Sequence, residues 1–102
     1  MSRYINTVKL DGFEATEPSW TPLTHAIITG YTSALTRAYA IKTNNLVLLA
    51  AANKVGPNEI VWQDAHFCES LYVAERRAAS KSLDYRRDLH YRIVPTVSTE
   101  RP

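Results

Sequence analysis

Glycine is scarce in this chain of 102 residues, with Gly12, Gly30 and Gly56 its only three. Phosphate-cradling loops of the ordinary kind concentrate several glycines in one stretch, so ATP or dinucleotide use in the usual manner is not expected. Cysteine is scarcer still: Cys68 stands alone, which excludes an intramolecular disulfide. The three histidines show no ligand spacing, and one cysteine cannot complete a zinc pattern with them, so neither metal nor cofactor is expected. Long apolar runs are also missing. The longest stretch without a charged residue, 18–36, holds Ser, Thr, His, Gly and two prolines. It is too polar to span a bilayer, and no membrane partner is expected. No charged segment followed by an apolar run opens the chain, so no secretory signal is expected and cytoplasmic residence is the default.

What is present is ordinary globular material. A hydrophobic fraction of 45% and a charged fraction of 22% suit a folded chain, and 102 residues suit one domain over 1–102. The net charge of +2 is too small to name a partner.

The segment 57–83 reads as one long amphipathic helix. At about 100° per residue, Ile60, Phe67, Cys68, Leu71, Ala74 and Ala78 fall on one arc. Pro57 suits the first helical position after Gly56. Thr21-Pro22 in the same way opens a second long helix over 21–42, on which Gly30, Ala34 and Ala38 recur every four residues. That ridge is expected to pack against Ala74 and Ala78. Its reverse face (His25, Thr29, Thr32, Ser33, Thr36) is rich in hydroxyls and carries no charge, which suits packing against another element.

Asp11-Gly12 between extended segments signals a hairpin within 1–16, because both central residues of a type I′ turn need positive φ. Leu46 to Ala52 is apolar throughout and periodicity cannot sort helix from strand; Asn45 as cap favours a short helix over 46–54. Leu89, Tyr91 and Ile93 alternate with His90, Arg92 and Val94, so 88–97 reads as a strand, with Pro95 placing it at an edge. The polar end, 98–102, is expected to be a flexible tail. The expected fold is thus a mostly helical α+β domain with two long packed helices, a short central helix and a small antiparallel sheet from the terminal strands. If 46–52 is a strand paired with 59–62, the order becomes βαββαβ, a ferredoxin-like sandwich.

Chemistry is best carried by the basic segment. Arg76, Arg77, Lys81, Arg86, Arg87 and Arg92 stand against Asp84 and Asp88, with Tyr85 and Tyr91 interleaved. Arginine forks match phosphate or carboxylate oxygens, and tyrosine adds a ring and a hydroxyl. The expectation is a non-enzymatic protein whose basic surface contacts an anionic partner: nucleic acid, a nucleotide-like ligand or an acidic protein surface. The bland alternatives are that these cations complement the helix dipole or pair with nearby carboxylates. A second expectation is an assembly subunit, a homo-oligomer or part of a protein complex, with Trp62, His66 and Val73 forming an interface on the second face of the 57–83 helix. His66 and Cys68, two residues apart on a helix, would point to different sides and could not form a catalytic pair; only His25 or His90 could complete one.

Overall fold

The computed structural model describes residues 3–84 and 89–101, with side chains described outside 81–84. Its elements in chain order are β1 (Arg3–Leu10), β2 (Phe13–Ser19), β3 (His25–Thr32), α1 (Ser33–Thr43), α2 (Leu46–Asn53), β4 (Ile60–Cys68), α3 (Leu71–Asp84), β5 (His90–Pro95) and β6 (Val97–Arg101). The class is α+β, but among the described residues more lie in strands than in helices, so the mostly helical reading is overturned. There are two three-stranded antiparallel sheets, β2-β1-β6 and β4-β3-β5, which excludes the ferredoxin-like alternative as well.

Both long helices resolve into a strand followed by a helix. In 21–42, β3 occupies the first part and Thr32 caps α1, its hydroxyl accepting from Leu35 N–H at 3.4 Å. Central strand β3 is buried on both faces: Ile27 packs toward α3, and Ala26 and Ile28 pack toward the other sheet. A doubly buried strand shows no alternation, which is why its apolar run passed for a helix stripe. In 57–83, β4 runs to Cys68 and Ser70 caps α3, with its Oγ accepting from Val73 N–H at 3.2 Å and its carbonyl from Ala74 N–H at 3.0 Å. A bulge at Gln63 reverses the faces of β4 midway, since Asp64 pairs with Thr29 while Trp62 pairs with Gly30. That shift broke the period of two and left apolar residues at spacings that mimic a helix.

Gly30 is therefore no helix ridge. A Cβ at this position would lie 2.3 Å from the Val61 carbonyl oxygen, so the bulge needs glycine for close backbone approach. Ala74 and Ala78 pack not on a helix but on Ile27 and Cys68, with Val73 and Ile93 alongside. The second core lies between the sheets: Val8, Ala26 and Ile28, flanked by Leu10, Phe13, Ala15, Trp62, Ala65, Phe67 and Val94. The layers run from the terminal sheet to the central sheet to α3.

The hairpin β1–β2 turns at Asp11-Gly12, with φ of 46° and 86°. Segment 46–53 is helical; Asn45 caps it, its Oδ1 accepting from Leu48 N–H at 3.1 Å. The 88–97 strand is two elements, β5 on the edge beside β3 and β6 beside β1. The expected flexible tail is thus largely strand: Ser98 Oγ donates to Asn6 Oδ1 at 2.6 Å, and β6 adds ladder bonds to β1. Asn6, fully buried, ties the terminal sheet together. Its Nδ2 donates to Glu17 O at 2.9 Å and Ser19 Oγ at 2.8 Å, and its Oδ1 also accepts from Leu23 N–H at 3.0 Å. No helix among the described residues is long and apolar enough to cross a membrane.

Candidate functional site

Helix α3 lies on the central sheet through Ala74 and Ala78, one turn apart, and turns the opposite side outward. Along that outer side run Tyr72, Val73, Arg76, Arg77 and Ser80, at the spacings that share a helix face. Among the described residues they line an open depression of about 320 Å³. The Arg76 guanidinium sits 5.7 Å from the centroid of the Tyr72 ring, within cation–π range. Arg77 reaches β4, where Nη1 lies 2.7 Å from His66 Nε2. A guanidinium only donates, so this contact requires Nε2 as acceptor and the imidazole proton on Nδ1. Both cations are thus oriented by neutral side chains. Among the described residues one ion pair exists, Lys9–Glu14 at 3.9 Å, far from this face in sequence and on the β1–β2 hairpin. Neither Arg76 nor Arg77 is ion-paired with the neighbouring Glu75.

Among the described residues of the basic segment, Arg92 does not share a face with Arg76 and Arg77. Arg76 and Arg77 stand together on α3. Tyr91 is on the same side of the central sheet, since Ile93, two residues on, packs in the α3 core. Arg92 faces the other side with Val94, and its guanidinium lies 5.7 Å from the Trp62 ring. The alternation of β5 separates Arg92 from the α3 cations by the thickness of a sheet. Tyr85, Arg86 and Arg87 lie outside the described residues, as does the side chain of Lys81.

The expected interface of Trp62, His66 and Val73 on one helical face is overturned, because two of the three are on β4. Trp62 is half-buried between the sheets, His66 is on the α3 side of β4 beside Arg77, and Val73 borders the α3 core. Asp64 and Glu75 are both exposed, and Asp64 Oδ1 accepts from Ala65 N–H at 2.9 Å. His66 and Cys68, on a strand, share a face rather than diverging, and His25 is the register partner of Cys68. The thiol nevertheless lies buried among Ile27, Ala74 and Ala78, the setting of an inert core cysteine. Among the described residues no three His, Cys, Asp or Glu side chains are grouped to hold a metal ion.

Two residues of the depression, Tyr72 and Ser80, were not among the expected site residues. The signal was available: Tyr72, Arg76 and Ser80 are spaced four apart. A scan against protein-family models and searches of curated proteins and of solved structures returned no match to this chain.

Proposed function

We propose that this chain is a binding protein, not an enzyme, and that it contacts an anionic partner through the outer face of α3. One observation carries the reading: the Arg76 and Arg77 guanidinium groups are exposed, adjacent, held by an aromatic ring and an imidazole, and not neutralised by any described carboxylate. Arginine preorganised in this way loses little freedom on meeting phosphate or carboxylate oxygens. Ser80 adds a hydroxyl and Tyr72 a ring at the rim, which fits a phosphodiester backbone with an adjoining base as well as an acidic peptide. Recognition of this kind is through charge and stacking rather than base-edge readout.

The test uses two probes on the whole chain, a labelled single-stranded oligonucleotide and a labelled acidic peptide, followed by fluorescence anisotropy. The expected result is binding of one of them and its loss by about tenfold or more in the double variant R76E/R77E, with circular dichroism unchanged. Equal binding by the variant, or no binding of either probe by the natural chain at low salt, overturns the reading. The preferred probe identifies the partner class.

A further inference from the structure

The terminal sheet turns one face toward the central sheet, against whose other side α3 packs, and its second face outward. On β1 the buried Asn6 and Val8 point inward, so Arg3, Ile5, Thr7 and Lys9 point out. The register sets Arg101 of β6 directly opposite Arg3, on the same side of the sheet. Trp20 follows the last residue of β2 and reaches the same row, with the Arg3 guanidinium 5.9 Å from its ring centroid. Across three strands the row therefore reads Trp20, Arg3, Arg101. The outward carboxylate of Glu14 is used by Lys9 at the other end of the face. Glu17 and Glu100 alternate to the inner side, opposite Asn6 and Tyr4. Arg3 and Arg101 are both exposed, and neither forms an ion pair among the described residues. Like charges directly opposite on neighbouring strands repel, so the row is left with an uncompensated cost.

Trp20 is 65% exposed, yet the chain on both sides of it is tied down. Ser19 Oγ accepts from Asn6 Nδ2 at 2.8 Å and donates to Thr21 O, and Leu23 N–H donates to Asn6 Oδ1 at 3.0 Å. The same oxygen accepts from Ser98 Oγ of β6. One buried amide thus fixes the strand ends that carry the ring and the second guanidinium. We propose that this row binds a nucleotide, with its phosphate between Arg3 and Arg101 and its base stacked on Trp20. Side chains directly opposite on paired strands have Cβ atoms about 4.5–5.5 Å apart, close enough for both arginine forks to reach one phosphate. The phosphate relieves the repulsion between the two cations. An indole ring accepts any base by stacking, and Arg3 already holds it in place. A carboxylate alone would satisfy the arginines and leave the exposed ring unused. A free nucleotide and the end of a strand offer the same chemistry, and competition separates them.

Isothermal titration calorimetry of the whole chain with adenosine monophosphate at low salt tests the assignment, with inorganic phosphate and adenosine as partial ligands. The expected result is binding of the nucleotide more tightly than either part. R3Q/R101Q and W20L, altered at exposed side chains, are each expected to weaken it by about tenfold or more, with circular dichroism unchanged. R76Q/R77Q is expected to bind it as the natural chain does, so this site stands or falls apart from the α3 face. In that variant, displacement of the nucleotide by a single-stranded oligonucleotide identifies a strand as its source, and no displacement identifies the free nucleotide. Absence of nucleotide binding by the natural chain overturns the proposal. So does binding that R3Q/R101Q or W20L leaves intact, or binding that R76Q/R77Q abolishes.

Discussion

Replacing Asn6 by aspartate exchanges the side-chain amide nitrogen for an oxygen and tests the terminal sheet at its most connected point. The amide uses both donors and accepts two bonds, to Glu17 O, Ser19 Oγ, Leu23 N–H and Ser98 Oγ, and is fully buried. In N6D the two acceptor bonds at Oδ1 survive, but an oxygen replaces Nδ2 at 2.9 Å from the Glu17 carbonyl. Two acceptors cannot face each other at that distance, and Ser19 cannot help because its hydroxyl proton is committed to Thr21 O. Losing two buried donor bonds and setting two oxygens against each other costs about 2–5 kcal/mol, a large share of the stability of a domain this size.

A proton on the introduced carboxyl restores one donor, so its folded-state pKa is raised above the unfolded aspartate value near 3.9. The sign follows. Below about pH 4 both states carry the proton and the deficit is smallest. Above it the deficit grows by about 1.4 kcal/mol per pH unit until the folded-state pKa is passed. Urea denaturation of N6D and the natural chain at acidic and neutral pH measures this difference. A variant as stable as the natural chain at neutral pH, or a deficit independent of pH, refutes the account of Asn6 as a fully bonded buried amide.

Other expectations follow from single contacts. Gly30→Ala places a methyl against the Val61 carbonyl oxygen and is expected to cost about 1–3 kcal/mol, read as a lower Tm; an unchanged Tm means that the bulge at Gln63 is not held as described. Ser70→Ala removes the cap of α3 and is expected to cost about 1 kcal/mol in urea denaturation, whereas Ser70→Asp is expected to retain the cap; equal stability of all three would deny the cap its role.

The parts of this fold that the sequence displayed were those governed by local chemistry. Asp11-Gly12 carries its turn in the two residues that adopt positive φ, and Asn45 carries the start of α2 in its own side chain. What stayed hidden was set by long-range pairing. β3 is the middle strand of its sheet and is packed on both sides, so His-Ala-Ile-Ile-Thr-Gly shows no period of two. β4 does alternate, but the extra residue at Gln63 moves Trp62 and His66 to opposite faces although they are four apart. Caps at Thr32 and Ser70 were legible as hydroxyls before helical runs, yet the longer apparent stripes outweighed them. The same holds for the surface. Adjacent Arg76 and Arg77 on a helix could be read directly, whereas the alternation of Tyr91 and Arg92 already implied that these two diverge. Which side each took depended on where α3 and the terminal sheet settle, and no local pattern encodes that.

The α3 face is tested most directly by the salt dependence of its contact with an anionic probe. With the oligonucleotide as the preferred probe, the logarithm of the binding constant is measured against the logarithm of salt concentration for the natural chain, R76Q/R77Q and R92Q. The account predicts a slope reduced by about 1.4 for R76Q/R77Q, roughly 0.7 for each cation removed from a single strand, and an unchanged slope for R92Q. A slope unaltered in R76Q/R77Q, or reduced equally by R92Q on the opposite side of the sheet, would contradict it.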